Sequence, residues 1–284
     1  MTLVNSDYLK RLLALILSIM IWAGSFAATK YAYQCFTPLF LCLVRFFLAA
    51  VLLTIIRTIR KEHKPLPKRD RKAVILTALT GITVYYSFEN LALSLTSASN
   101  AAVITAVYPV FTIIIGYCFF HDRIPLKQLN GILIAIAGIL FITVVPGSEK
   151  GSGEFLGNIL LIINGFMWGL YNYLVHGVSK ETDTSTFTYY MTVFGALFLL
   201  PVVFIEPPVL KAPLNGPVLI ALFFLTAGCS IIAYYLYNYG LRKVSVGTTM
   251  AIMNLMPVFG LFFSAVLLHE VIGLREILGD RTHV

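Results

Sequence analysis

Apolar residues run along this chain in blocks of about twenty, separated by short stretches of charge, proline or glycine. The blocks are apolar on every face, and a helix crossing a bilayer needs about 20 such residues. The pattern predicts spanning helices over 10–31, 38–57, 73–95, 99–120, 127–145, 156–178, 186–205, 216–241 and 246–268, nine in all. A transmembrane β-barrel is excluded, because its strands of about 9 to 11 residues would alternate polar and apolar positions. The first run, with Lys10-Arg11 ahead and Ala23-Gly24-Ser25-Phe26-Ala27 late in it, also fits a cleavable signal peptide.

Shifting the chain by 148 residues lays 86–131 onto 234–279 without a gap, and 12 of the 46 pairs are identical. The identities include Asn90 with Asn238, Ser97 with Ser245, Pro109-Val110-Phe111 with Pro257-Val258-Phe259, His121 with His269, and Gly131 with Gly279. Hydrophobicity alone does not align Pro, His, Asn and Gly, so the chain carries an internal repeat. A shift of 146 pairs Ser18 with Asn164, Trp22 with Trp168 and Lys30 with His176. The first helix therefore belongs to the repeat, which argues that it is retained. Residues 1–150 form one unit and 151–284 the other. Each unit calls for five helices; five is odd, so the second unit enters the membrane with the opposite orientation and the repeats are inverted.

Composition agrees with this reading: 58% of the 284 residues are apolar and 12% charged, with a mean hydropathy of +0.86. No room is left for a soluble catalytic domain. The net charge of +8 would suggest nucleic acid in a soluble protein, but in a polytopic one it first describes orientation. With the N-terminus in the cytoplasm, the inner loops hold 15 of the 21 Lys and Arg, eight of them between residues 57 and 72, against four outside. The expected setting is a multi-pass position in the cytoplasmic membrane, with the lipid bilayer and a small molecule as partners and no nucleic acid. The run at 57–72 reads as a topology anchor beside anionic lipid. Cys35, Cys42, Cys118 and Cys229 lack metal-type spacing and read as reduced packing residues.

The repeat also exposes an irregularity. After Gly131 the first unit continues into an apolar fifth helix, whereas after Gly279 the second reads Asp280-Arg281-Thr282-His283-Val284. The expectation is an all-α polytopic protein on a ten-helix plan of two inverted five-helix repeats, with about nine helices present. The missing tenth would reflect a truncated gene, a shifted frame or a short natural variant.

Several segments together are similar to the EamA type of the drug/metabolite transporter superfamily. They are IWAGSFAATKYAY in the first helix, PLFLCLVRFFLAAVLL in the second, FENLALSLTSASNAAVITAVYPVF across the third and fourth, and HDRIPLKQLNGILIAIAGI into the fifth. In the second half, GLRKVSVGTTMAIMNLMPVFGLFFSAVLLHEVIGLREILG repeats the pattern. The resemblance implies ten helices, a central cavity, and export or exchange of small metabolites by alternating access. The chain departs from it in the absent tenth helix and in the His-Asp and His-Glu pairs before the fifth and tenth.

Glu89 is the sharpest chemical feature, since a carboxylate inside a membrane helix costs about 2.5–3.5 kcal/mol. Tyr85 and Tyr86 precede it by one turn and share its face. Glu89 reads either as a site of proton coupling or as a structural partner of Arg45 or Lys30. Arg45 reads as a fork for a substrate carboxylate or as an ion-paired structural residue, and Lys30 as a side chain that snorkels outward. Asn90 and Asn238, retained in both halves, are positioned to offer amides to a polar substrate. Two stripes at helical spacing, Ser18-Trp22-Phe26 and Asn164-Trp168-Asn172-His176, place Trp22 and Trp168 as cavity walls or as packing residues. His176 reads as a solvated or capping residue. Pro109 and Pro257 lie inside predicted helices as candidate hinges or as tolerated kinks. No HExxH, serine elbow or phosphate loop is present, so no enzymatic activity, metal or cofactor is expected. The function expected is that of a secondary transporter, an exporter or exchanger of small polar or amphipathic metabolites such as amino acids. A truncated, non-transporting membrane scaffold is the alternative.

Overall fold

Helices fill all but the turns of the described residues, 6–62, 64–121 and 152–268, in the computed structural model. In chain order they are α1 (Ser6–Ala32), α2 (Pro38–Ile59), a 3-10 turn (Lys68–Asp70), α3 (Arg71–Ala78), a π-helical stretch (Leu79–Val84) and α4 (Tyr85–Leu95). Then come α5 (Ala98–Thr105), α6 (Tyr108–Phe120), α7 (Ser152–His176), α8 (Thr184–Val202) and a 3-10 turn (Val203–Ile205). The last are α9 (Gly216–Phe223), a second π-helical stretch (Phe224–Ala233), α10 (Tyr234–Leu241), α11 (Val246–Met253) and α12 (Met256–Leu268). Among the described residues there is no strand, only an isolated antiparallel bridge between Phe36 and Leu210. Among the described residues, five helical runs are long and apolar enough to span a bilayer. This is an all-α, multi-pass membrane protein. The predicted fifth helix, 127–145, and the chain after 268 lie outside the described residues.

Local chemistry sets the helix ends. Asp183, Asn215 and Ser245 cap α8, α9 and α11 by accepting from the backbone N–H of Thr186, Val218 and Thr248. Pro38 occupies the first turn of α2, where its missing N–H leaves no bond unmade. The predicted boundaries hold to within four residues for the runs described, but two predicted helices are not continuous. The run at 99–120 breaks between Thr105 and Tyr108, and the run at 246–268 between Met253 and Met256. Pro109 and Pro257 therefore sit in the first turn of α6 and of α12, just past each break, rather than inside an unbroken helix.

These irregularities recur at matching positions. Adding 148 to the break at 106–107 gives 254–255, the break between α11 and α12. The same shift carries the π-helical stretch 79–84 to 227–232, inside the second such stretch.

Packing interleaves the early and late helices. α7 lies against α4 and α6; α1 lies against α10, α12 and the second π-helical stretch; α2 and α3 lie against α8. Gly165 and Gly169, one turn apart on α7, let α6 approach closely: a Cβ at 169 would stand 3.0 Å from the Thr112 Cα. Polar residues point inward, with Ser18, Asn164, Asn172, Thr192 and Asn238 fully buried, while Leu13, Phe47, Ile55, Leu197, Ile220 and Phe223 face outward. Large apolar side chains on the outer face, with these polar groups kept inside, match a hydrocarbon solvent.

The two ends of the bundle are tied differently. At one end Asp70 accepts from the Ser179 backbone N–H (3.1 Å), the Ser179 hydroxyl (2.6 Å) and the Thr182 hydroxyl (2.5 Å), while Arg242 donates to the Ser179 carbonyl at 2.7 Å. Arg11 joins this end, bonded to Asp7 and to the Tyr239 carbonyl, with Arg57 stacked 4.5 Å over the Tyr189 ring. Surface pairs Lys64–Asp183 and Arg69–Glu181 add to it. Among the described residues, the basic groups near the N-terminus, at 57–72 and at Arg242 that the sequence assigned to one side thus converge on one end, while the loop with Arg123 and Lys127 lies outside the described residues. At the other end the segment after Ala32 pairs with that after Glu206, through Lys211 N–H to the Cys35 carbonyl and Thr37 N–H to the Val209 carbonyl.

Candidate functional site

The middle of the bundle is a sheet of touching aromatic rings drawn from both halves. Trp22 on α1 meets Trp168 on α7 edge to face at 5.4 Å between ring centroids, and also contacts Tyr234 (5.1 Å) and Tyr237 (5.0 Å) of α10. Tyr85 lies 5.2 Å from Trp168 and 5.0 Å from Tyr86, and Tyr86 continues to Phe46 at 4.7 Å. Edge-to-face and tilted contacts at these distances are favourable because the positive ring edge meets a negative face. All these rings are buried. The two tryptophans, read from the sequence as cavity walls or as packing residues, therefore touch, with their N–H groups directed elsewhere: Trp22 to the Cys229 carbonyl at 3.0 Å and Trp168 to the Met253 sulfur at 3.0 Å.

Arg45 lies at the edge of this layer with no exposed surface. Its Nε donates to the Ser230 hydroxyl at 3.0 Å, and its guanidinium sits 4.6 Å from the Tyr86 ring centre and 5.1 Å from that of Phe46. Nη1 and Nη2 have no hydrogen-bond partner among the described residues. Glu89, 4% exposed, is within electrostatic reach of Arg45 and interacts with the Tyr85 hydroxyl one turn before it. No ion pair within 4.0 Å joins Glu89 to Arg45 or Lys30 among the described residues. Lys30 instead donates to the Thr96 carbonyl at 2.5 Å.

The expected amides divide. Asn172 donates to the Trp168 carbonyl and accepts from Tyr237, and Asn238 accepts from Tyr171 and donates to Thr188. Asn90 donates to the Tyr86 carbonyl and receives the Tyr33 hydroxyl on its own carbonyl. These three hold helices together in this conformation. Asn164 differs, since neither of its amide atoms has a hydrogen-bond partner among the described residues, although the Tyr108 hydroxyl, likewise without one there, lies close enough to interact with it.

Sequence reasoning did not single out Ser230, Tyr171 or Tyr234. A serine in an apolar run gives no signal, whereas Tyr234 stands 148 residues after Tyr86, at the equivalent position of the repeat, and the two ring centroids lie 6.2 Å apart. Of the cysteines, Cys35, Cys42 and Cys229 are buried as expected, but Cys118 is exposed on α6. His176 is exposed at the end of α7. Among the described residues no group of His, Cys, Asp and Glu is arranged to hold a metal ion.

The chain resembles known membrane transporters. The EamA-like transporter family model matches it twice, over residues 9–144 and 155–279. An uncharacterized transporter of Archaeoglobus fulgidus is 30% identical over 265 residues, covering 91% of this chain and 89% of that protein. An S-adenosylmethionine/S-adenosylhomocysteine transporter of Chlamydia trachomatis is 28% identical over 267 residues, covering 89% and 80%. A protein crystal structure with 17% identity superposes with a TM-score of 0.69 over 95% of this chain and 92% of its own, which supports the fold. With both halves matched by one family model and the fold shared along nearly its whole length, the chain belongs to the EamA-like transporter family.

Proposed function

We propose that the protein is a secondary transporter of small polar or amphipathic metabolites, working by alternating access between two inverted repeat units, residues 1–150 and 151–284. The observation that carries this reading is the meeting of repeat mates at the centre: Trp22 touches Trp168 and Tyr86 touches Tyr234. Equivalent residues of two units come into contact where a pseudo-two-fold axis passes between them. In the inverted-repeat plan that axis lies in the membrane plane, at the level where substrate is handled. The paired helix breaks before Pro109 and Pro257 support a rocking motion about the same axis.

The ties at the two ends support it too, because the halves must part at one end while they stay joined at the other. The N-terminus belongs on the cytoplasmic side, where the basic end of the bundle would face the anionic leaflet of the cytoplasmic membrane. The name of the chlamydial relative adds S-adenosylmethionine and S-adenosylhomocysteine to the substrates worth testing alongside amino acids.

The test is counterflow in proteoliposomes holding the full chain, with labelled amino acids, nucleosides, organic ions and S-adenosylmethionine. Exchange above empty vesicles for at least one class is expected, and its absence across the panel refutes the reading. Proton coupling through Glu89 is separable: Glu89→Gln should flatten the pH dependence of exchange, and an unchanged profile sinks that role.

A further inference from the structure

We infer that Arg45 is a preorganised seat for the carboxylate of a zwitterionic ligand, with Ser230 aiming it and Glu89 receiving the ligand's ammonium. This deepens the transport reading and rests on it for its physiological meaning, but binding alone tests it.

The argument starts from the guanidinium. Its five N–H donors form a rigid planar fork, and a buried cation that leaves donors unmade is costly. Nε is spent on the Ser230 hydroxyl at 3.0 Å. That hydroxyl cannot drift, because its own hydrogen goes to the Leu225 carbonyl at 2.9 Å, five residues back in the π-helical stretch. With Nε held this way, the opposite edge of the fork, Nη1 and Nη2, is turned from Ser230 and has no partner among the described residues. Tyr86 and Phe46 cover the guanidinium with their rings, so water is kept off while the edge stays unspent. Two parallel N–H donors at one edge match a carboxylate in the bidentate manner. They match it better than a single carbonyl or hydroxyl oxygen.

The second charge decides between an acid and a zwitterion. Glu89 is buried within electrostatic reach of Arg45, yet the two do not form an ion pair within 4.0 Å. Two opposite buried charges held apart accommodate a ligand that carries both signs, while a dianion would meet repulsion at Glu89. The rings of Tyr86, Tyr85 and Tyr108 run on from Arg45 in contact with one another, and beside Tyr108 stands Asn164, whose amide atoms have no hydrogen-bond partner among the described residues. An aromatic or flat side chain would lie along this row.

The experiment is ligand-induced thermal stabilisation of the detergent-purified full chain with three matched probes: L-phenylalanine, 3-phenylpropionate and phenethylamine. The first two keep the carboxylate, and the first and third keep the ammonium. Stabilisation by L-phenylalanine and, more weakly, by 3-phenylpropionate is expected, with none by phenethylamine. Arg45→Gln should weaken L-phenylalanine binding at least about tenfold, as the loss of a bidentate charged contact implies. Arg45→Lys, which keeps the buried charge and loses the fork, should do nearly the same and guards against a variant that merely misfolds. Ser230→Ala should weaken binding by about threefold to tenfold with the charge in place. Glu89→Gln should weaken L-phenylalanine while sparing 3-phenylpropionate. Binding of phenethylamine as tight as L-phenylalanine, full binding by Arg45→Lys, or no binding of either acid overturns the seat. Counterflow of nucleosides or organic cations in that last case leaves the transport reading standing. Carboxylate-dependent binding without counterflow of any solute supports the seat and refutes transport.

Discussion

Replacing Asp70 by Asn isolates the tie at the basic end of the bundle, and its cost follows from the donors around it. The carboxylate is 3% exposed and accepts three hydrogen bonds, one from the Ser179 backbone N–H and two from the Ser179 and Thr182 hydroxyls. An amide of the same shape keeps one acceptor oxygen, enough for the backbone N–H. Its NH₂ group then faces two hydroxyls that had donated, so they must turn and lose their acceptors. A hydrogen bond to a charged group contributes about 1.5–3 kcal/mol and a neutral one about 0.5–1.5, so two downgraded bonds cost roughly 2 kcal/mol.

That loss corresponds to a fall of about 4–8 °C in apparent Tm for a chain of this size. The pH dependence has a definite sign. Burial pushes the Asp70 carboxyl up, but the bonds from Ser179 and Thr182 outweigh it and hold the pKa below the ordinary 3.8. A depressed folded pKa stabilises the protein above the unfolded value, and the benefit is lost as pH falls through the folded one. The gap between wild type and Asp70→Asn should therefore be full at neutral pH, begin to narrow below about pH 4 and vanish as pH falls through the lower folded pKa. Thermal unfolding in detergent at pH 7 and at pH 3, with a Thr182→Ala double-mutant cycle, measures it. An unchanged Tm at pH 7, a gap of equal size at both pH values, or strict additivity with Thr182→Ala would refute the reasoning.

Gly169→Val should lower Tm by more than any neighbouring conservative change on α7, because its Cβ would press on the Thr112 backbone and no rotamer relieves that; a tolerated valine would show that α6 is free to move away. Trp22→Ala should cost about 3–5 kcal/mol through the cavity left among Trp168, Tyr234 and Tyr237, as measured by unfolding in detergent. A maleimide should modify one thiol, Cys118, in the folded protein and all four after denaturation, and fast labelling of Cys42 or Cys229 would contradict their burial. Pro109→Ala and Pro257→Ala should slow exchange while leaving Tm near the wild-type value, since the alanine restores an N–H across each break; exchange at wild-type rate would remove the hinge role.

The spans and their order were legible because a bilayer imposes one crude rule, about 20 apolar residues per crossing. Runs 38–57, 73–95 and 216–241 needed little more than counting. The two breaks were not legible in the same way: Pro109 and Pro257 flagged a weakness, but a kinked continuous helix and two abutting helices leave the same proline signal. The π-helical stretches gave no sign in the sequence beyond Gly81 and Gly228, because an extra residue in a helical turn depends on what packs beside it. At Gly81 the Tyr171 ring takes the place of a Cβ and the Tyr234 hydroxyl reaches the backbone carbonyl. Glu89 and Arg45 stood out as charges in apolar runs, yet whether they were paired with each other was a question of distance between helices.

Sequence alone determined the solvent and the internal repeat. Hydrophobic block length specified a bilayer, loop charge specified one basic side, and the recurrence of Asn, Pro, His and Gly at a fixed shift specified two related units, since each signal is local or periodic. Only the tertiary structure decided which residues meet. It brought Trp22 to Trp168 and Tyr86 to Tyr234, used Asn172 and Asn238 as helix ties, and set Ser230, an unremarkable serine 185 residues away, against the Nε of Arg45. The physical reason is that a buried charge is defined by its neighbours in space, and in a bundle of interleaved halves those neighbours come from helices far apart in the chain.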